Sequence, residues 1–253
     1  MIYNALLTLS VLGLASAAPS LPRQASAGLS LTQKLTIADS SVDRFNLIPN
    51  DADFVFKFVD KIAPGGKGGD LVAANRKTFP ALVGTGSGMA VGFLDACGFN
   101  TPHIHNRATE LQIVTSGKVI TEMLPENGVL RDGKRRVIRN ELTKFQMQPF
   151  YQGSVHTQYN PDCAPATFIA SFNNEDFGTG QIPDELFALN NDLVSAAFGE
   201  SFSGAEVDKF QGAIPQSIAL GIKECVKRCY KEDGVTLKDP KGNNDPKSYA
   251  QAY

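Results

Sequence analysis

The chain has 253 residues and a net charge of −2, from 24 basic and 26 acidic side chains, with 16 Phe, 23 Gly and no Trp. With charge so nearly balanced and no long run of one sign, neither nucleic acid nor an anionic membrane surface is an expected partner. The length allows one large domain or two small ones, and single all-β domains of this size are common.

Leu6–Ala15 is an apolar run of signal-peptide length, followed by Ala15-Ser16-Ala17-Ala18 and Pro19. Residues 1–18 therefore read as a signal peptide cleaved after Ala17 or Ala18, and the mature protein is expected to be secreted. The run is too short to span a bilayer, which takes about 20 residues, and no later segment approaches that length. Residues 19–50 form an expected N-terminal arm with short helices over Leu31–Ile37 and Ser41–Phe45, ending before Pro49. Asp53–Val59 alternates apolar and polar residues well enough to predict a strand. Pro64-Gly-Gly-Lys-Gly-Gly69 reads as a flexible loop, because it lacks the Gly-Lys-Ser/Thr ending and the following helix of a phosphate loop.

Short strands with turn signals between them then follow. They are predicted at Leu82–Gly84, Met89–Leu94, Glu110–Val114, Lys118–Leu124, Gly128–Ile138, Phe145–Phe150, Val155–Tyr159 and Thr167–Phe172. Within them, Arg131-Asp-Gly-Lys-Arg-Arg136 reads as a hairpin turn carrying solvated charges. Even spacing of this kind predicts an all-β double-sheet jelly roll, placed at residues 51–180. After Pro183 the apolar spacing becomes helical over 184–189, 192–197, 205–210 and 217–229, with a capping box at Ser203-Gly-Ala-Glu206. Residues 181–230 are thus an expected helical segment. Residues 231–253, rich in Lys, Asp, Gly, Pro and Asn, form a tail expected to be disordered.

Four cysteines, Cys97, Cys163, Cys225 and Cys229, predict two disulfides in a secreted chain, with three possible pairings. Cys225 and Cys229 are one helical turn apart, too far for an easy bridge unless the helix ends between them. No Asn-x-Ser/Thr sequon occurs.

The chain contains three histidines, and all three fall where one metal site would need them. His103 and His105 lie in Thr101-Pro-His-Ile-His-Asn-Arg-Ala-Thr-Glu110, and His156 lies in Gln152-Gly-Ser-Val-His-Thr-Gln-Tyr-Asn160. A strand alternates its side chains between faces, so an H-x-H pair points two imidazoles the same way. Glu110 comes five residues after His105, so the chain must turn or bulge between Asn106 and Thr109 to bring it to that face. Three neutral imidazoles and one carboxylate suit a divalent first-row metal with open positions better than Ca or Mg. The bland alternative is three unconnected histidines, and the coincidence of the whole histidine content with one pattern weighs against it.

These stretches resemble the paired motifs of single-domain cupins of the germin and spherulin type. The family's first motif runs Gly, five residues, H-x-H, three or four residues, Glu, six residues, Gly. Here His103-Ile-His105 is followed after four residues by Glu110 and after six more by Gly117. The second motif, Pro-x-Gly, two residues, His, three residues, Asn, is matched by Gly153, His156 and Asn160. The chain departs at positions that shape turns: the opening Gly of motif one falls on Cys97, the Pro of motif two on Tyr151, and the Gly upstream of it on Phe145. The resemblance covers roughly residues 41–229.

The resemblance implies a cupin double-stranded β-helix with short C-terminal helices, in which the two motif strands are antiparallel neighbours. It thereby favours a Cys97–Cys163 disulfide, with the C-terminal helix as the other partner open to these cysteines. It implies His103, His105, Glu110 and His156 as metal ligands, with manganese first and iron or zinc as alternatives. Oxalate-oxidising germins hold their substrate with two asparagines; one falls on Asn100, a possible substrate-orienting residue, and the other on Ala90, which cannot donate a hydrogen bond. Superoxide therefore ranks ahead of oxalate or another small carboxylate as the expected substrate. The resemblance further implies a homo-oligomer, trimer or hexamer, clasped by the C-terminal helices. The alternative from a different class is a non-catalytic, spherulin-like stress, spore or wall protein stabilised by its metal.

Overall fold

The computed structural model describes residues 28–64, 67–215, 217–232 and 236–238. The expected signal peptide and residues 239–253 of the tail lie outside them. The N-terminal arm carries α1 (Leu31–Ile37) and α2 (Ser41–Asn46), each opened by a serine cap, Ser30 and Ser40. Both helices match their predicted positions.

Thirteen strands are present among the described residues. The first five are β1 (Gly69–Ala74), β2 (Gly88–Leu94), β3 (Gly98–Ile104), β4 (Glu110–Ser116) and β5 (Lys118–Leu124). Next come β6 (Leu130–Arg131), β7 (Lys134–Arg135), β8 (Ile138–Thr143), β9 (Met147–Phe150), β10 (Val155–Tyr159) and β11 (Ala166–Phe172). Then β12 (Gly180–Gln181) leads into α3 (Ile182–Phe187), α4 (Asn191–Ala197) and α5 (Gly204–Gln211), and β13 (Ile218–Leu220) precedes α6 (Lys223–Cys229). No helix among the described residues is long and apolar enough to cross a membrane.

The strands pair antiparallel in two main sheets. One has the order β1-β2-β11-β4-β9; the other has β12-β3-β10-β5-β8, with β13 also on β3. The sheets enclose a core of inward-facing residues that includes Leu94, Val114, Val119, Leu142, Phe168 and Phe172. Alternation along each strand sends these side chains inward, as in β5, where Val119, Thr121 and Met123 are buried. Gly92 is required by this packing: a Cβ there would sit 2.2 Å from the Phe168 ring. The cupin jelly roll expected from the resemblance is the fold found.

Several local expectations are corrected. Asp53–Val59 is not a strand; two 3-10 turns, Asp51–Phe54 and Val59–Lys61, flank a short extended piece. Phe56 and Phe58 pack against Val72, Val91 and Phe93, so the alternation reports burial on the outer face of β1 and β2 rather than strand pairing. Leu82 ends a proline-led 3-10 turn, Pro80–Leu82, and residues 83–84 continue as a turn instead of a strand. Gly128–Ile138 is not one strand: Asp132 and Gly133, at φ 54° and 72°, turn the chain between β6 and β7. The Asp-Gly turn itself is where the sequence placed it.

Residues 217–229 are not one helix. Ile218–Leu220 pairs with Gly98–Asn100 on the outer edge of β3, and only Lys223–Cys229 is helical. Gly221 permits the change of direction, since a Cβ on it would meet the Cys97 carbonyl oxygen at 2.4 Å. Lys231 N–H donates to the Thr236 carbonyl, and Leu237 bridges to Tyr230, whose hydroxyl donates to the Ala96 carbonyl at 2.9 Å.

The favoured Cys97–Cys163 disulfide is overturned. The bonds are Cys97–Cys225 and Cys163–Cys229, with Cα–Cα separations of 5.7 and 5.1 Å. Residues four apart share a helix face, so Cys225 and Cys229 both point from α6 to the barrel end where Cys97 and Cys163 lie. The alternative partner, the C-terminal helix, takes both barrel cysteines.

Candidate metal centre

The candidate ligand set is assembled by strand register. His156 on β10 faces His103 on β3 across the ladder, placing both imidazoles on the barrel interior. β3 ends at Ile104, and a loop over residues 105–109 supplies the turn that the Glu110 spacing demanded. Glu110 then opens β4 in the opposite sheet, beside Phe150 of β9 and Phe172 of β11. The centre thus joins the two sheets. All four side chains are buried, and one ligand atom from each lies within 4.8 Å of the others.

The imidazoles are oriented by backbone carbonyls. His103 Nδ1 is 2.8 Å from the Thr101 oxygen, His105 Nδ1 is 2.7 Å from that of Gly178, and His156 Nδ1 is 2.9 Å from that of Ser154. A carbonyl only accepts, so each Nδ1 carries a proton, and in the neutral tautomer that this selects the Nε2 lone pair is the one offered to a metal. His105 Nε2 and His156 Nε2 lie 2.8 and 3.2 Å from Glu110 Oε2. With neutral rings, the nitrogen and oxygen lone pairs repel at that range unless a cation lies among them, and in its absence a proton on Nε2 takes that place. No Lys or Arg among the described residues pairs with the buried Glu110 carboxylate, so a metal ion is the charge that fits.

The electrostatics agree. Burial, then repulsion from His156, pushes the His103 pKa down to about 3, keeping that imidazole neutral and able to ligate. For Glu110, burial alone would raise the pKa, but in the metal-free site hydrogen bonds donated from His105 and His156 outweigh it and hold the carboxyl at about 2, in the place that a bound cation would take. The set therefore offers a carboxylate that stays ionised and, at His103, an imidazole that stays neutral.

Aromatic rings close the site. Phe150 stacks on His156 at 4.3 Å and 14°, and Phe172 meets His105 edge-on at 4.6 Å. Asn100 is buried beside the candidate ligands, its Nδ2 3.5 Å from His103 Nε2 and 3.1 Å from Gln158 Oε1. Gln158 in turn donates from Nε2 to Glu110 Oε1 at 3.5 Å. Gln158 was not among the sequence-predicted site residues, although its place two residues after His156 on a strand puts it on the same face. Ala90 faces the same interior from β2, buried and without a polar group.

Two glycine positions of the motif are filled by other residues, yet keep the glycine conformation. Cys97 and Phe145 have φ of 58° and 64°, in the left-handed region. The turn geometry put in question by these departures is retained at the expense of about 1–2 kcal/mol of backbone strain each.

The family model described as Cupin matches residues 64–207, more than half of the chain. The chain is a cupin. It is 37% identical to Spherulin-1A of Physarum polycephalum over 201 residues, covering 79% of this chain and 78% of that protein. It is 29% identical to Germin-like protein subfamily 2 member 3 of Arabidopsis thaliana over 154 residues, covering 58% of this chain and 65% of the relative. A solved structure of oxalate oxidase superposes with a TM-score of 0.57 at 20% identity, covering 65% of this chain and 82% of that one. That likeness shows the fold. The matches place this cupin in the germin and spherulin group.

Proposed function

We propose that this cupin is a secreted manganese-dependent oxidoreductase, with superoxide ahead of oxalate as substrate. The observation that carries the reading is the convergence of three Nε2 lone pairs on a buried carboxylate, with every Nδ1 tied to a carbonyl. His103, His105, Glu110 and His156 would hold the metal. When bound, manganese would supply one-electron chemistry at the site. The protein's part is electrostatic and steric: a single carboxylate leaves a net positive centre that attracts a small anion, and Phe150, Phe172 and Phe177 limit solvent. Asn100 is the side chain beside the ligands that would orient a substrate. With Ala90 on the interior wall, one donor for a dicarboxylate is missing; such a donor to a charged group contributes about 1.5–3 kcal/mol.

The two disulfides support an oxidising compartment, and with the signal-like N-terminus they support secretion. A homo-oligomer, trimer or hexamer, is supported by the apolar surface of the C-terminal helices, where Leu189, Leu193, Phe198 and Phe210 are exposed. A second reading, a non-catalytic metal-stiffened protein, is favoured by the closer match to spherulins than to germin-like proteins. Superoxide turnover by the manganese-loaded protein separates the two. The oxidoreductase reading predicts a rate well above that of the same concentration of free Mn and its loss in Glu110→Gln; parity with free Mn overturns it.

A further inference from the structure

Strand register stacks the barrel interior in layers. The metal layer holds His103, His156 and Glu110, with Met123 opposite His156 and Ile138 opposite Met123. One step further along the strands, Gln158 lies opposite Asn100 and Thr121, Thr121 opposite Asn140, and Gln112 opposite Gln148. The ring closes through Ala170 and Ala90. Beyond it the interior is apolar, with Val119 opposite Leu142 and Phe168 opposite Val114. A belt of uncharged polar side chains therefore lies directly beneath the metal centre, inside a hydrophobic barrel.

That belt is incompletely paired. Gln112 Nε2, Gln112 Oε1, Gln148 Nε2 and Asn100 Oδ1 have no hydrogen-bond partner among the described residues, and all three residues are at most 5% exposed. Their orientation is partly fixed. Thr121 Oγ1 and Asn140 Nδ2 donate to Gln148 Oε1 at 3.0 and 2.6 Å, leaving its amide N–H groups for another acceptor. Asn100 Nδ2 donates to Gln158, leaving its oxygen as an acceptor. Leaving one buried polar group unpaired costs about 1–3 kcal/mol, so four in one layer call for a resident partner. Sheets pack about 10 Å apart, and the methyl groups of Ala90 and Ala170 do not fill that width.

The belt also has an entrance. β8 and β9 are the outer strands of opposite sheets and do not pair with each other. Between them lies a groove of about 630 Å³ lined by Met123, Ile138, Asn140, Leu142, Met147 and Gln148 among others. Asn140 and Gln148 belong both to this groove and to the belt.

We propose that the four unpaired amide atoms are bridged by ordered water, forming a hydrated passage from the β8–β9 groove to the Glu110 carboxylate. Water and protons exchange with bulk solvent through the side of the barrel by this route. Mixed donors and acceptors without charge suit water, which needs 2–4 polar partners per molecule. The passage itself needs no metal; its role in supplying the centre rests on the metal reading above.

The test uses the full-length protein, Gln112→Leu, Gln148→Leu and a rim variant, Asn140→Leu. In metal-stripped protein, a high-resolution crystal structure is expected to show waters on Gln112 Nε2, Gln148 Nε2 and Asn100 Oδ1. Thermal melting is expected to show Gln112→Leu no more stable than wild type. Dry amides together with a raised melting temperature in Gln112→Leu overturn the proposal, because an apolar residue would then relieve unpaired groups. In manganese-loaded protein, the water-proton relaxation rate per bound Mn is expected to fall at least twofold in Gln148→Leu or Asn140→Leu at unchanged metal content. An unchanged rate in both variants overturns the passage as a route to the centre, while failure to load Mn into wild type would count against the metal reading alone.

Discussion

Glu110 Oε2 lies 2.8 Å from His105 Nε2, although His105 has already committed its ring proton to the Gly178 carbonyl at 2.7 Å. In the neutral tautomer two lone-pair atoms would thus meet in a buried site, a contact that a bound cation satisfies. Glu110→Gln replaces the anion with an isosteric amide whose N–H can donate to Nε2, satisfying the contact without a cation. The expected outcome is loss of most bound metal with the fold kept, read as metal per chain alongside circular dichroism. Metal content equal to wild type would show that Glu110 is not a ligand.

Acid should act on the metal-free protein through the same residues. His103 is held at about 3 in the fold against 6.5 ordinarily, so the unfolded chain takes up its proton first and stability falls as pH drops from 6.5 towards 3. Glu110, held at about 2 against 4.5, contributes stability that is present above 4.5 and lost as pH falls through 2. Both trends have the same sign. The melting temperature of metal-stripped protein is expected to rise steadily from pH 3 to 6.5, and a flat profile would contradict the buried neutral His103.

Phe145 gives a stabilising prediction. Its φ of 64° strains a side chain that is 70% exposed, so little packing is lost on removing it. Phe145→Gly is expected to relieve about 1 kcal/mol. For a chain of this size, that raises the melting temperature by roughly 2–4 °C. A lower melting temperature would show that the contact with Lys144, whose Nζ lies 5.2 Å from the ring centroid, outweighs the strain.

The interior of the site was legible in the sequence for a simple reason. His103 and His105 are two residues apart, and a period of two fixes the face locally; the same period places Gln112 with Glu110 and Gln158 with His156, neither of which was among the predicted site residues. What lay beyond reach depends on distant partners. Ile218–Leu220 becomes a strand because β3 has a free edge, which no local pattern around Gly221 announces. The disulfides depend on where α6 lands, so antiparallel neighbours β3 and β10 gave a plausible but incorrect pairing for Cys97. Phe56 and Phe58 alternate like a strand because they cover a sheet, not because they join one.

The disulfides should hold the C-terminal segment rather than the metal layer. Cys97–Cys225 spans 128 residues, and removing such a bridge typically costs about 2–4 kcal/mol. The double variant Cys97→Ser, Cys225→Ser is expected to lose hydrogen-exchange protection over β13 and α6. β10, inside the sheet, should keep its protection, and metal content should be unchanged. Equal loss in β10 would mean that the disulfide supports the whole barrel.

The His103, His105, Glu110 and His156 cluster is the proposed manganese centre. Elemental mass spectrometry on the natively produced protein tests it most directly. The prediction is about one Mn per chain, absent after Glu110→Gln; zinc alone, or no stoichiometric metal, would contradict it.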